Sequence, residues 1–217
     1  MAKKENDVIE IKELEIRQVP IRIVGDTPLI VHAWSEKAKR MMLETQMKIK
    51  NKTKDVRDPF DDFIQSMYWL EGKPEESTPQ AFEKAVKNGA KWGFPVSAIK
   101  MAANSAAYRK GYVKNQMGLR GGYFLQTEYG EMAEIKGTIP EIREDMVRIG
   151  MGSADLRYRA EFKGWYMDLI LEYDANGEFR IDDLINFINL GGYTTGIGEW
   201  RPEKDGTFGK YHVEVIE

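Results

Sequence analysis

The sequence predicts a mixed α+β fold, and three patterns lead to that expectation. Apolar and polar residues alternate over 9–24, 142–149 and 156–173, which is the period of two that strands require. Residues that favour helices dominate segments between these stretches, above all 98–109. A further short alternating stretch follows at 210–216. Strands that come before and after helices in this way are typical of an antiparallel sheet with helices packed against it.

The first half of the chain is predicted to hold two strands and three helices. Pro20 cannot donate a ladder hydrogen bond, so the strand over 9–24 is expected at a sheet edge or a bulge. A turn at 25–28 leads into a short apolar strand at 29–32. Three helices are then predicted, over about 36–50 with Ser35 as the cap, about 61–70 and about 80–88.

The middle of the chain is predicted to centre on one helix. Ser97 can cap a helix over 98–109, because a serine side chain accepts a hydrogen bond from the first turn. The segment 111–122 that follows contains several glycines and basic residues, which favours a loop. Extended segments are expected within 123–137.

The C-terminal part is predicted to combine strands, a turn and a helix. The long alternating stretch 156–173 is expected to be two strands with a bend near Gly164. A hairpin-type turn at 174–177 precedes a helix over 182–190, which begins at one of two consecutive aspartates. Gly191 is expected to cap the C-terminus of that helix.

The order of these elements predicts a ferredoxin-like sandwich, which is one antiparallel sheet with helices on one face. We expect a single domain over 1–217. The segment from about 35 to 91 is too long for a simple crossover and is expected to be a mainly helical insertion.

Composition excludes several classes of function. The 217 residues include two histidines and no cysteine, so no disulfide framework, thiol nucleophile or metal site is expected. No apolar run approaches the roughly 18 residues of a membrane span, and the charged N-terminus lacks an apolar signal core. We therefore expect a cytoplasmic protein that makes no membrane contact and needs no cofactor. The net charge of −3 argues mildly against nucleic-acid binding, which depends more on where the charges lie.

A glycine-rich segment, 190–209, joins the last predicted helix to the last strand and exceeds the roughly 2–6 residues that a turn requires. Gly196 and Gly198 can provide a backbone platform for phosphates, with Arg201 supplying charge and Trp200 a stacking surface. The alternative is a flexible connection. The segment is not a nucleotide-binding P-loop, because it lacks the Gly-Lys-Ser/Thr sequence.

The start of the helix at 98–109 is a second candidate anion site. Ser97 and Lys100 lie in its first turn, where backbone N–H groups and the helix dipole favour a phosphate. The alternative is an ordinary capped, alanine-rich core helix.

Three motifs in the second half of the chain read Pro-x-Ser-x-Ile-Lys-x-Ala-x-x-Ser (95–105), Leu-x-x-Phe-x-x-Leu-Gly-Gly (184–192) and Gly-Ile-Gly-x-x-Arg-Pro (196–202). A fourth, Thr27-Pro28-Leu29, follows the first strand. Together these motifs resemble the RAMP superfamily, the RRM-like proteins that form the RNA-binding backbone of CRISPR effector complexes. The resemblance reaches the beginning, middle and end of the chain.

The resemblance implies a modified RRM fold that binds an RNA backbone without regard to sequence, often in a helical filament of identical subunits. It implies that the segments 191–198 and 97–104 lie near that backbone, and that 110–137 holds a thumb-like insertion. Two features depart from the family's pattern. The second glycine pair is spread out, as Gly206 and Gly209, and the chain is short for a backbone subunit. A stand-alone relative from a phage or other mobile element fits that length.

Basic residues form two clusters, one along the first predicted helix and one around the loop at 111–122, where tyrosines are interleaved. Lysine and arginine with aromatics are typical of a groove for single strands, although either cluster can also be an ordinary solvated surface. The residues predicted to bind nucleic acid are Lys39, Arg40, Ser97, Lys100, Asn104, Arg109, Lys110, Lys114, Arg120, Tyr123, Gly196, Gly198, Trp200 and Arg201.

We therefore predict a protein that binds single-stranded nucleic acid, RNA more than DNA, and oligomerises along the strand. Other effector or phage proteins are further expected partners, and binding is favoured over catalysis. Two alternatives stay open. Asp58, Asp61 and Asp62 could hold Mg²⁺ in a metal-dependent nuclease, although Asp58 also fits a helix start. The negative net charge would suit a protein-binding module that acts on a nucleoprotein complex.

Overall fold

The structure, a computed structural model, describes residues 13–34, 36–49, 57–149 and 152–216. Its elements in chain order are β1 (Ile16–Gly25), β2 (Leu29–Val31), α1 (Glu36–Gln46), α2 (Pro59–Gln65), β3 (Tyr68–Glu71), α3 (Pro79–Lys87), β4 (Lys91–Pro95), α4 (Val96–Arg109), α5 (Gln116–Gly122), β5 (Tyr123–Gln126), β6 (Met132–Ile135), β7 (Glu141–Ile149), β8 (Ser153–Phe162), β9 (Tyr166–Asp174), α6 (Ile181–Thr194) and β10 (Tyr211–Val215). The predicted α+β class is confirmed. Within the described ranges, no helix has both the length and the apolar character needed to cross a bilayer.

A four-stranded antiparallel sheet in the order β10-β1-β9-β5 forms the centre of the fold. In chain order, its strands and the two long helices read β1, α4, β5, β9, α6, β10. This is the βαββαβ connectivity of the predicted ferredoxin-like sandwich. β1 is a central strand, which corrects the expectation that Pro20 marks a sheet edge or a bulge. The ladder tolerates Pro20 because β10 pairs only with the residues that follow it, 21–25.

The side of this sheet that faces α4 and α6 is apolar. Alternate residues of β1 (Ile21 and Ile23) and of β9 (Met167, Leu169 and Leu171) are buried there. The core helices contribute small or branched side chains to the same cluster. The alternation seen in the sequence therefore corresponds to one buried face and one open face of the sheet.

The helices α4 and α6 approach each other closely at Gly191. A β-carbon built on Gly191 would lie 2.6 Å from the backbone nitrogen of Ala103. α6 runs through Gly191 and Gly192 to Thr194, so the predicted end at residue 190 with Gly191 as C-cap is wrong. The glycine is needed for the close packing of two helices rather than for ending one.

Three further local expectations are corrected. α4 begins at Val96 with Pro95 in the cap position, and no side chain, including that of Ser97, caps it. The turn at 174–177 connects β9 to α6 rather than two strands of a hairpin. The loop expected at 111–122 contains α5.

The segment between β2 and α4 contributes β3 and β4 to a second sheet, in the order β3-β4-β6, whose third strand comes later in the chain. The segment also holds α1, α2 and α3, but the helix predicted at 61–70 ends at Gln65 and β3 begins at Tyr68. Its interior is aromatic: Phe82 meets Phe63 at a centroid distance of 5.3 Å and Trp69 at 6.3 Å. Trp92 of the same segment meets Phe162 of β8 at a centroid distance of 6.2 Å, and this contact joins the aromatic cluster to the core.

A third sheet, in the order β2-β8-β7, contains the long hairpin formed by β7 and β8. β8 and β9 meet at a bend where Gly164 has φ +65°, so the prediction of two strands with a bend near Gly164 is confirmed. The segment 110–137 is not a single thumb-like insertion, because it includes β5, a strand of the central sheet. Alternation of apolar and polar residues identifies a strand but does not reveal which sheet it joins.

A histidine–carboxylate pair joins β10 to the turn after β1. His212 Nδ1 lies 2.6 Å from Asp26 Oδ1, and this contact raises the pKa of His212 above its ordinary value. A raised pKa in the folded state adds stability that is fully present below the unfolded-state pKa, about 6.5 for histidine. That stability is lost as pH rises through the folded-state pKa.

We therefore expect the free energy of unfolding to fall as pH rises from about 6 to about 8, and to fall less in an Asp26→Asn variant. Urea denaturation of both proteins at several pH values measures the difference. Identical pH dependence in the two proteins would show that the pair contributes nothing.

Candidate nucleic-acid interface

The glycine-rich segment is folded tightly against β2. The N–H groups of Gly196, Ile197 and Glu199 donate to the carbonyls of Gly191, Gly209 and Ile30, at 2.8–3.0 Å. A single 3₁₀ turn covers Pro202–Lys204. The N–H group of Gly196 is therefore engaged inside the protein, which corrects its part in the expected backbone platform for phosphates. The N–H group of Gly198 donates to no residue that the structure describes. The alternative of a loose connection does not fit this network either.

The glycines of this segment serve its own folding. Gly196 and Gly198 have φ of +66° and +76°, in the left-handed region that glycine tolerates best. A β-carbon on Gly198 would lie 2.5 Å from the Ile30 carbonyl oxygen, and one on Gly209 would lie 1.8 Å from the Ile197 carbonyl oxygen. Substitutions at Gly196 or Gly198 therefore report on folding more than on ligand binding.

The predicted cations Arg109 and Arg201 share one carboxylate. Arg201 Nε and Nη2 donate to Glu203 Oε2 at 3.1 and 2.9 Å, and Arg109 donates to the other oxygen of Glu203. Arg109 and then Arg201 lower the pKa of Glu203, so the carboxylate is charged at neutral pH. A phosphate would have to compete with Glu203 for both arginines. Trp200 lies beside them and is 41% exposed.

Three of the predicted residues hold α4 against β5 inside the protein. Lys100 Nζ donates to the Tyr123 carbonyl at 2.6 Å, and the Tyr123 hydroxyl donates to Asn104 Oδ1 at 3.0 Å. Burial lowers the pKa of Lys100 and raises that of Tyr123. Tyr123 and Asn104 are buried, so neither contacts solvent as the prediction required. Sequence spacing could not distinguish this face of α4 from the exposed one.

An exposed set of cations and aromatics lies where α4 ends and α5 begins. We call it the basic surface, and it consists of Tyr108, Lys110, Tyr112, Lys114 and Arg120. Tyr108, Lys114 and Arg120 border an open depression of about 330 Å³. Tyr112 stacks on Phe187 with 6.1 Å between ring centroids, which fixes the position of its ring. None of the three cations forms an ion pair with a residue that the structure describes.

The remaining predicted residues, Lys39, Arg40 and Ser97, do not belong to the basic surface. On α1, Lys39 pairs with Glu36 at 2.6 Å and Arg40 with Glu44 at 3.9 Å, as on a solvated helix face. Ser97 is exposed in the first turn of α4.

The open face of the central sheet does not suit phosphates. Its cations Arg22 and Lys136 both contact the Asp168 carboxylate, at 2.7 and 3.2 Å. Glu172 accepts hydrogen bonds from Gln18 and Gln126 on the same face. A strand approaching this face would meet carboxylates whose cations are already paired.

A cavity of about 300 Å³ lies between α4 and the glycine-rich segment. Its polar lining includes His32, Tyr68 and Glu199, which lie near one another, and the ion pair of Arg201 and Glu203. His32, Tyr68 and Glu199 come from three segments far apart in the sequence, and no motif indicated that they meet. The sequence analysis therefore missed this site.

The three aspartates of the nuclease alternative each have a structural role. Asp58 Oδ1 caps α2 by accepting from Phe60 N at 2.9 Å, and Asp61 accepts from the Ser77 hydroxyl at 2.6 Å. Asp62 pairs with Arg57 at 2.7 Å. Across the residues that the structure describes, no group of three or more acidic or histidine side chains is arranged to hold a metal.

Comparison with known proteins adds no assignment: no family model matches this chain, and no curated protein matches it. The likeness to the RAMP superfamily therefore rests on the sequence motifs alone.

Proposed function

We propose that this protein binds single-stranded nucleic acid, RNA in preference to DNA, through the basic surface, and that several copies assemble along one strand. The observation that carries the proposal is the set of three cations that have no ion-pair partner among the described residues and that alternate with Tyr108 and Tyr112. The resemblance to the RAMP superfamily supports the same function.

The chemistry of the basic surface fits a strand without a strict sequence. Lysine and arginine attract phosphates, which are the same at every nucleotide, and tyrosine rings stack on any base. Most other arginines of the described residues are held by carboxylates, as Arg57, Arg143 and Arg201 are. Lysines elsewhere, such as Lys84 and Lys87, also have no ion-pair partner among the described residues, so the neighbouring tyrosines are what distinguish the basic surface.

Assembly of several copies is supported by α1. Met41, Met42, Leu43 and Met47 are exposed on and just after this helix, although such side chains usually avoid water. A contact with another chain would cover them. This supports a second copy of the protein as the partner in a filament.

The binding test removes the three cations together. We expect the variant Lys110→Ala/Lys114→Ala/Arg120→Ala to bind a labelled RNA of ~40 nucleotides about ten- to hundredfold more weakly at low salt. Each lost phosphate contact also removes about 0.7 from the slope of log affinity against log salt, so the slope should fall by about 2. Fluorescence anisotropy over a salt series gives both values.

A matched control changes lysines of similar exposure elsewhere. Lys84 and Lys87 lie exposed on α3, and the variant Lys84→Ala/Lys87→Ala should bind as the unaltered protein does. If the unaltered protein binds neither RNA nor single-stranded DNA at low salt, the proposed function is wrong. Equal losses in both variants would mean that binding is not located at the basic surface.

A further inference from the structure

The cavity between α4 and the glycine-rich segment has the size and the lining chemistry of a small-ligand site. Its apolar walls include Phe94, Pro95, Ala98, Met101 and Ile197. Its volume of about 300 Å³ exceeds that of a single nucleobase and leaves space for part of the sugar. Apolar walls with a few polar groups are typical of sites that bind small molecules.

Glu199, which lines the cavity, is charged but has unused hydrogen-bonding capacity. Its carboxylate lies 3.6 Å from His32 Nδ1 and 3.8 Å from Arg159 Nη2, distances that exceed a hydrogen bond. His32, and then the charge of Arg159, lower the pKa of Glu199 despite its partial burial. The carboxylate oxygens can therefore still accept hydrogen bonds from a ligand.

Two hydroxyl groups of the cavity residues also have open hydrogen-bonding capacity. The Thr195 hydroxyl is buried and has no hydrogen-bond partner among the described residues. Burial raises the pKa of the Tyr68 phenol, and the nearby Glu199 carboxylate raises it further. Because a buried polar group without a partner is unfavourable, a ligand with matching groups stabilises the site.

We infer that this cavity binds one guanine base of a bound strand, with the base N1–H and N2–H groups donating to the Glu199 carboxylate. This inference rests on the proposed function, and it adds a base preference at one position of a strand that is otherwise held through phosphates. Guanine alone among the common bases presents two adjacent donors to a carboxylate. On that edge adenine, cytosine and uracil have no two adjacent donors, so the second carboxylate oxygen would face an acceptor that repels it. The O6 acceptor of guanine lies outside its donor pair.

The position of the cavity along α4 agrees with this assignment. Met101 lines the cavity, and Tyr108 of the basic surface lies seven residues later, which is about 10 Å along a helix and on nearly the same face of it. A strand that follows α4 therefore passes both places. The cavity and the basic surface are joined by one rigid element.

The test compares strands that differ by one base. We expect the unaltered protein to bind an oligouridine containing one central guanosine about tenfold more tightly than the same oligouridine without it. Single adenosine or cytidine substitutions should give no such gain. Glu199→Gln should abolish the guanosine preference and leave binding of the plain oligouridine unchanged. Glu83→Gln, an exposed carboxylate on α3, should change neither.

Glu199 also lies near the buried Arg159, so Glu199→Gln could disturb the fold. A second variant therefore tests the same site without changing Glu199. Met101 is exposed at the rim of the cavity, and Met101→Trp fills the opening without removing a polar group. It should abolish the guanosine preference in the same way. A preference that survives both variants would overturn the inference, and so would equal binding of all strands by the unaltered protein.

Failure of the proposed function can be distinguished from failure of this inference by titration with free mononucleotides. If no strand binds, calorimetry with GMP, AMP, CMP and UMP still tests the cavity. Selective GMP binding that is lost in Glu199→Gln would support a guanine site in the absence of strand binding. If no strand binds and the four mononucleotides bind equally or not at all, the guanine site is also overturned.

Discussion

Replacing Gly191 with alanine is expected to lower the free energy of unfolding by about 1–3 kcal/mol, because it forces an overpacked contact. A β-carbon at this position would lie 2.6 Å from the nitrogen of Ala103 and 2.8 Å from the carbonyl carbon of Ala102. These are backbone atoms of α4, which cannot rotate away as a side chain can. The helices α4 and α6 would have to separate, and the apolar contacts between them would weaken.

The sign of this effect is diagnostic. In the interior of an unhindered helix, the same change stabilises by about 1 kcal/mol, because alanine has the higher helix propensity. Gly121→Ala in α5 is the matched control, since a β-carbon there meets nothing within 4 Å. Urea denaturation of both variants should show a loss for Gly191→Ala and no loss for Gly121→Ala. A stabilised Gly191→Ala protein would contradict the close helix contact.

Replacing Asp145 with alanine is expected to cost about 3–5 kcal/mol, because it leaves a buried arginine without its nearest carboxylate. Arg159 is 3% exposed and Asp145 7% exposed, and Arg159 Nη1 lies 3.4 Å from the Asp145 carboxylate. Arg143 also binds Asp145, at 2.8 Å, but has Glu161 as a second partner. Without Asp145, the nearest carboxylate to Arg159 is that of Glu199, at 3.8 Å.

Two comparisons isolate the buried charge as the cause. Glu141 lies on the same face of β7 and pairs with Lys163 at 2.6 Å, but both side chains are more than half exposed. Glu141→Ala should therefore leave the free energy of unfolding nearly unchanged. The double variant Asp145→Val/Arg159→Met should recover most of the stability lost in Asp145→Ala. Equal losses in the single and double variants would show that packing, not charge, is responsible.

Much of the fold could be predicted from local patterns. Alternation over 142–149 and 156–173 corresponds to β7, β8 and β9, and the bend at Gly164 falls where the sequence placed it. β4 was missed because only five residues form it and one of them is a glycine, so no alternation is visible. The end of α6 was misplaced because a glycine that permits a close helix contact looks the same in sequence as one that ends a helix.

The candidate site could be predicted only in part. Lys110, Lys114 and Arg120 are exposed without an ion pair among the described residues, as a phosphate-binding surface requires. Arg201 instead pairs with Glu203, and Tyr123 is buried. Whether a cation is free or paired depends on carboxylates that are distant in the sequence. Spacing along the chain carries no information about them.

The sequence by itself determined the α+β class, the ferredoxin-like order of elements, and the position of a basic, tyrosine-containing segment. These properties follow from residues that are neighbours along the chain, because strand period, helix propensity and local charge are local quantities. Only the tertiary structure decided that the glycine-rich segment packs against β2 and that the N–H groups of Gly196, Ile197 and Glu199 bond inside the protein. It also decided that His32, Tyr68 and Glu199 meet in one cavity, since long-range packing brings together groups that no local pattern connects.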